Sequence, residues 1–408
     1  MELYEYQKAT VNKALKYFEE SNIDFPKFNI FFKMGLGKTV TALEIVKQVK
    51  PKTVLIVCPK SLIEMWVYEF YKYLGFEYSR TNNISNLNND EVSRVFFVNY
   101  EQLLSLRHEI IPDICIFDEV HKLKNVNGKI HKNINTYILP KQTLCLTGTP
   151  IVKDLMDLFG ILTCVGPQKF NNLVASQFRY KYIINGGTNR TLQLWQTIEP
   201  FTVQLEYDGI LDMPKTEDIV IPIDIDWTTR QMLSEIYHEN TNALARITEA
   251  VQLTSLNPQK RAACVQLIDD IIEDGEKVVL FVRFTEEYEY FMNLYKAVCV
   301  GINGETKDRE RQVREFENNP GVKVFIGNLQ TAGVGITLIE AHRCIFYSET
   351  YSWGDAEQSK ARIFRIGQDK PCIYYHLLCT DSIDELIYQN IINKTNLIEE
   401  FKRLYGGL

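Results

Sequence analysis

The chain has 408 residues, of which 45% are hydrophobic and 24% charged, and its net charge is −7. That length suggests two or three domains, and the composition is that of an ordinary globular protein, which excludes disordered, fibrous and disulfide-stapled classes. The acidic balance argues against a broad basic coat for nucleic acid but leaves room for a local groove. No apolar run reaches the roughly 18 residues of a membrane span, and the opening MELYEYQKAT lacks the basic head and apolar stretch of a secretory signal.

Five short apolar runs mark the first part of the chain: NIFF (29–32), TVLIVCP (53–59), RVFFVNY (94–100), DICIFDE (113–119) and TLCLTGT (143–149). Near-continuous apolar strands alternating with helical spans predict a parallel sheet covered on both faces. Residues 81–90, rich in Asn, read as a polar surface loop. The plan recurs later with KVVLFV (277–282), VCVGING (298–304), KVFIGN (323–328), HRCIFYS (342–348) and PCIYYHL (371–377). Tyr288, Phe291, Met292 and Tyr295 recur at helical spacing between the first two of these. The fold class is therefore α/β, with two parallel-sheet lobes at 1–165 and 251–408. Residues 166–250, including a Gly186-Gly187 turn and DMPKTEDIVIPIDI, read as a helical insertion and inter-lobe connection. Residues 382–405 read as a C-terminal helix. The nine cysteines form no C-x-x-C pair, and Cys58, Cys115, Cys145, Cys344 and Cys372 lie in or beside apolar runs, as buried thiols of a reducing compartment would.

Each strand of such a sheet ends in polar residues, and ligands of open α/β sheets bind at those carboxyl ends. After the first strand comes FKMGLGKT, residues 32–39, and then a helical span. Gly35 and Gly37 would let backbone N–H groups approach phosphates at the helix start, with Lys38 reaching the β and γ phosphates and Thr39 binding Mg²⁺. The usual loop has a glycine where Phe32 stands. In DICIFDEVHKLKN, Asp118 ends a strand and can hold Mg²⁺, while Glu119 can orient and deprotonate a water; Val120 and His121 complete a D-E-x-H box. LTGTP (146–150) is a strand end whose small hydroxyl residues could sense phosphates or couple the lobes. In QSKARIFRIGQ (358–368), Arg362 and Arg365 are spaced i,i+3, which predicts one shared helix face and two charges for a transferring phosphoryl group.

Together these motifs resemble the Snf2-like (SWI2/SNF2) branch of superfamily 2 helicases and DNA translocases. That branch has a loop ending MGLGKT without the first glycine, so the loop is intact for its class, although Phe32-Lys33 replaces an acidic pair. LYEYQKATVN resembles the Q motif, VLIVCPKSLIEMWVYEF motif Ia, VNYE motif Ib, FDEVHKLKN motif II and LTGTPI motif III. VVLFVRFTEEYEYF resembles motif IV, and the run from NLQTAGVGITL to RIGQDKP resembles motifs V to VI. Trp353-Gly354-Asp355 stands where the family often has W-N-P. Gln204-Leu205 stands near the place of two family arginines, which puts the usual brace contacts in doubt.

The resemblance implies two RecA-like lobes and a DNA-dependent ATPase that translocates on duplex or branched DNA during replication, recombination or repair, with ATP and Mg²⁺. It implies ATP contacts at Gln7 (adenine), Met34, Gly35, Leu36, Gly37, Lys38, Thr39, Gly335 and Gln358. It implies DNA contacts at Lys60, Ser61, Asn99, Tyr100, Asn328, Thr331 and Trp353, on backbone phosphates and thus sequence-tolerant and salt-sensitive. The motifs fill the chain from residue 3 to about 385 with no flanking module visible. So compact a motor fits a virus or bacterium, a cytoplasmic setting and a monomer that a replication or recombination protein could target. Two other readings remain open: a partner-dependent ATP-driven switch or loader with little motor activity, and an RNA-directed motor.

Overall fold

The computed structural model describes residues 3–75, 78–80, 93–151, 154–166, 170–207, 213–239, 242–329, 336–393 and 397–405. Every apolar run named above forms a strand. The strands are β1 (Lys27–Phe32), β2 (Thr53–Cys58), β3 (Ser79–Arg80), β4 (Arg94–Asn99), β5 (Ile114–Asp118), β6 (Gln142–Leu146) and β7 (Thr202–Leu205), then β8 (Thr216–Ile223), β9 (Val278–Val282), β10 (Cys299–Ile302), β11 (Val324–Asn328), β12 (Arg343–Phe346) and β13 (Cys372–Cys379). The chain divides into two compact units, Met1–Asp212 and Met213–Leu408.

The first unit holds a seven-stranded sheet in the order β3-β4-β2-β5-β6-β1-β7. All its pairings are parallel. All six residues of β2 are buried, as expected of a central strand covered on both faces. On one face, Leu55, Val57, Phe117 and Cys145 pack with Ile134, Phe159 and Leu194 from the helices Lys129–Tyr137, Leu155–Thr163 and Thr188–Ile198. The strand order brings the carboxyl ends of β5, β6 and β1 side by side.

The second unit has a six-stranded parallel sheet in the order β10-β11-β9-β12-β13-β8. Val279, Phe281, Phe325 and Phe346 enter one core, while Val278, Leu280, Ile326 and Ile345 enter another on the opposite face. The helix Thr285–Leu294 buries Tyr288 and Phe291, as its spacing predicts. Lys260 and Asp384 form an ion pair at 2.5 Å with side chains 1% and 5% exposed, tying the helix Pro258–Glu273 to the helix Ile383–Asn393. His376 of β13 lies between two carboxylates, Glu349 at 2.5 Å and Asp218 of β8 at 2.9 Å.

The stretch read as connection contains a real sheet member. Residues 216–223 pair with β13 along their whole length. Their burial is mostly exposed or intermediate, and Pro222 lies among them, which suits an edge strand and explains the missing apolar run. Within 166–250, the helix Thr188–Ile198 belongs to the first unit, and the helices Trp227–His238 and Ala243–Ser255 belong to the second. Of the C-terminal helix expected over 382–405, Ile383–Asn393 and Leu397–Tyr405 are helical, and residues 394–396 lie outside the described residues. Among the described residues no helix is long and apolar enough to cross a membrane. All nine cysteines are free, and eight are buried.

Candidate functional site

The phosphate-type loop joins β1 to the helix Lys38–Val49. Gly35 and Gly37 adopt φ of 83° and 78°, the left-handed region that a side chain disfavours. A Cβ on Gly37 would also meet Gln7 Nε2 at 2.4 Å, so a side chain there would displace the Gln7 amide from the loop. The first N–H bonded back to Gly37 O is that of Thr41, so the N–H groups of Lys38, Thr39 and Val40 face outward at the helix start. Such a cradle suits an anion. Lys38 Nζ spans the loop and donates to Phe32 O at 3.1 Å. Met34 and Leu36 are buried anchors of the loop, and Thr39 is half-buried beside Lys38.

Gln7 is only 3% exposed. Its Oε1 accepts from Tyr4 N at 3.0 Å, and its Nε2 donates to Leu36 O at 3.1 Å. The Tyr6 hydroxyl donates to the same carbonyl at 3.0 Å. The amide expected to read adenine is thus also a brace of the loop backbone.

At the end of β5, Asp118 is buried. Its Oδ1 accepts from Glu119 N at 3.0 Å and its Oδ2 from Trp66 Nε1 at 2.8 Å. Burial and the neighbouring Glu119 carboxylate push Asp118 up to about 6, against the pull of Trp66 and Lys38. A carboxylate in that position gains from a cation, so the donor set of Asp118 and the Thr39 hydroxyl fits Mg²⁺. Glu119 has φ of 52°, a left-handed conformation rare for a non-glycine residue and common at functional turns. His121 Nδ1 hydrogen-bonds with Thr147 Oγ1 at 3.0 Å and lies 3.2 Å from Glu119 Oε2, between the ends of β5 and β6. Thr147 in turn accepts from Thr149 N at 3.1 Å. A Cβ on Gly148 would lie 3.3 Å from both Met34 Cγ and Phe32 O, so the LTGTP turn rests against the loop. Lys38, Asp118, Glu119 and Thr147 therefore lie in one cluster of the first unit, with Asp118 and Thr147 buried within it.

Some expected DNA contacts have other surroundings. Tyr100 is 1% exposed, and its hydroxyl donates to Asp118 O at 2.7 Å. Its ring offers no surface to a nucleic acid and instead supports the strand end that carries Asp118. Asn99 is buried, and its Oδ1 accepts from Gln102 N at 2.8 Å. Lys60 and Ser61 are exposed in the short 3-10 turn Lys60–Leu62 that follows β2.

In the second unit, Arg362 and Arg365 do not share a helix, because the helix Trp353–Lys360 ends before them. They sit in the turn that follows, where Gly367 takes φ of 101°. Gln368 fixes that turn by donating to Ala341 O at 2.9 Å and Ile339 O at 3.1 Å. Both guanidinium groups nevertheless converge on one acceptor: Arg362 and Arg365 donate to Ile336 O at 3.1 and 3.2 Å. Arg365 also donates to Thr337 Oγ1 at 2.7 Å, and Arg362 Nε to Gln358 O at 2.9 Å. Asn328 ends β11 and donates to Arg283 O at 2.7 Å. Trp353 opens its helix half-buried against the core that holds Ile383 and Ile387. Thr331 and Gly335 lie outside the described residues.

Sequence reasoning assigned no role to Trp66 or Tyr6 and none to His121 beyond its place in the D-E-x-H box. The box spacing was a usable signal for His121. Trp66 meets Asp118 across 52 residues, a contact that no periodicity announces.

The SNF2-related domain matches residues 29–267, and the helicase conserved C-terminal domain matches residues 259–367. The DNA repair and recombination protein RDH54 of Saccharomyces cerevisiae is 24% identical over 428 residues, covering 86% of this chain and 46% of that protein. The chromodomain-helicase-DNA-binding protein 1-like of Danio rerio is also 24% identical, covering 90% of this chain and 41% of that protein. The chain thus spans less than half the length of these eukaryotic relatives. Among solved structures, the Sulfolobus solfataricus SWI2/SNF2 ATPase core in complex with dsDNA aligns over 100% of this chain and 92% of its own, at 21% identity and a TM-score of 0.49. Because the SNF2-related domain covers more than half of the sequence, including the loop, Asp118, Glu119 and the turn after β6, the chain belongs to the SNF2-related family.

Proposed function

We propose that the chain is a DNA-stimulated ATP hydrolase that moves along duplex or branched DNA and remodels DNA structures or protein–DNA complexes in replication, recombination or repair. The observation that carries this reading is the meeting of Lys38, Asp118, Glu119 and Thr147 at the carboxyl ends of β1, β5 and β6, joined by His121. Family membership supports it, and so do the repair and DNA-binding names of the two relatives.

In this reading Lys38 leaves Phe32 O for the β and γ phosphates, while the N–H groups at the helix start hold their oxygens. Met34, Gly35, Leu36 and Gly37 shape that cradle, with Gln7 at its adenine side and Gly335 and Gln358 as further nucleotide contacts. Thr39 and Asp118 would hold Mg²⁺, which supplies positive charge to the phosphate oxygens. Glu119 orients the attacking water and takes its proton, with His121 beside its carboxylate. Arg362 and Arg365 offset the charge of the transferring phosphoryl group. Lys60, Ser61, Asn328, Thr331 and Trp353 are the proposed contacts to the DNA backbone, and Asn99 and Tyr100 act behind them as supports.

The test is ATP turnover by the purified chain and by Lys38→Ala, with and without duplex DNA. The reading expects DNA to raise the turnover of the wild-type chain and Lys38→Ala to abolish it. Turnover that survives Lys38→Ala would remove the loop from the site. Turnover indifferent to DNA would favour the partner-dependent switch.

A further inference from the structure

Beside the loop and the two acids, the first unit contains a buried indole with a specific task. Trp66 is fully buried, and its one polar atom is bonded to Asp118 Oδ2 at 2.8 Å. Asp118 is the carboxylate with which the reading above holds Mg²⁺, so this inference rests on that reading. The other carboxylate oxygen is fixed by Glu119 N at 3.0 Å and the main-chain oxygen by the Tyr100 hydroxyl at 2.7 Å. Asp118 is thereby held from three places: its own turn, Tyr100 just after β4, and the helix Ile63–Leu74 that carries Trp66.

That helix begins directly after the 3-10 turn Lys60–Leu62. Leu62 N donates to Pro59 O at 2.8 Å and Ile63 N to Lys60 O, so turn and helix run on as one hydrogen-bonded piece. Lys60 and Ser61 are exposed at its start, and Trp66 lies one to two turns further along, pointing inward. The piece is held at depth by Phe70, fully buried and in edge-to-face contact with Phe97 of β4 at 5.6 Å. Lys60 and Ser61 are thus joined through this piece to the residue that donates to Asp118 Oδ2.

We propose that Trp66 is a positioning residue for Asp118, and that it makes the orientation of that carboxylate respond to a nucleic-acid phosphate held at Lys60 and Ser61. The bond is charge-assisted, so its loss is felt wherever Asp118 must meet a cation. Trp66→Phe keeps an aromatic ring in the pocket and removes the donor. Phe70→Leu on the same buried helix face disturbs packing but removes no hydrogen bond to Asp118, and it controls for loosening of the helix.

The experiment measures binding of a fluorescent ADP analogue to the full chain as Mg²⁺ is titrated, without and with a duplex oligonucleotide. In the wild-type chain the duplex should lower the Mg²⁺ concentration for half-maximal binding. In Trp66→Phe that concentration should rise about tenfold and no longer move with the duplex. Phe70→Leu should keep the wild-type response even if it lowers the melting temperature. A Trp66→Phe protein that follows the duplex as the wild type does would overturn the inference. So would equal losses in Trp66→Phe and Phe70→Leu, which would make the indole a packing element only. If the duplex leaves Mg²⁺ dependence unchanged in the wild-type chain, the inference is overturned, while duplex-stimulated turnover of the same preparation still decides the proposed function separately.

Discussion

Replacing Lys260 with methionine should locally destabilise the second unit. The ammonium lies 2.5 Å from Asp384 Oδ2, with both side chains at most 5% exposed. Methionine fills much of the space but leaves the carboxylate buried without its cation. Removing one partner of a buried pair costs about 3–5 kcal/mol. Here the loss falls near the lower end, because Asp384 keeps two donors, Thr254 Oγ1 at 2.9 Å and Cys379 N at 3.1 Å. A cost of about 3 kcal/mol corresponds to roughly 100-fold in an opening equilibrium. Cys379 ends β13, so hydrogen exchange of the amides in Cys372–Cys379 reads the effect where it arises. Their protection should fall about 100-fold in Lys260→Met, while the amides of β2 and β5 in the first unit stay unchanged as an internal reference. Adding Asp384→Asn, which removes the stranded charge and keeps an acceptor for Cys379 N, should restore more than half of the protection. A fall of less than about fivefold in the single variant would refute the view that this pair anchors the two helices to the sheet.

His376 makes the second unit sensitive to pH. Burial opposes its charge, but Glu349 and Asp218, one at each ring nitrogen, outweigh burial and hold the imidazolium above its ordinary value. A raised folded value gives a stabilisation that is complete below about pH 6.5 and lost as pH rises through the folded value. The gap in melting temperature between wild type and His376→Gln should therefore narrow as pH rises from that point, and a constant gap would contradict the assignment. Glu119→Gln should retain nucleotide binding and lower turnover by about 10²–10⁴-fold, the range for loss of a general base; unchanged turnover would remove Glu119 from that role. Arg365→Ala should bind nucleotide like the wild type and lose up to about 10³-fold in DNA-stimulated turnover, read from single-turnover rates at saturating ATP.

The sheets were legible because β1, β2, β5, β9 and β11 are buried along most of their length and so read as unbroken apolar runs. Three of the edge strands, β3, β7 and β8, were not. In β8 exposed Thr216, Glu217 and Asp218 alternate poorly with Ile219 and Ile221, and β7 has only four residues, one of them an exposed glutamine. Sequence spacing points to Lys38, Thr39, Asp118 and Glu119 as candidates, because a phosphate loop and a strand-end acidic pair are local patterns. It could not identify the residues that hold them. Trp66, Tyr100 and Gln7 act on Asp118 or Leu36 through contacts that depend on strand order, and strand order is not written in any local period. The same limit explains Arg362 and Arg365. Their spacing suggested a helical face, whereas their convergence on Ile336 O comes from a turn stitched by Gln368.

The most direct test of the central claim is steady-state ATP hydrolysis by the purified chain, alone and with duplex DNA, single-stranded DNA or RNA, at two salt concentrations. Contacts to backbone phosphates release counterions, so stimulation should be strongest with duplex DNA and should fade as salt rises. Hydrolysis that none of the three nucleic acids stimulates, at either salt concentration, would contradict the account.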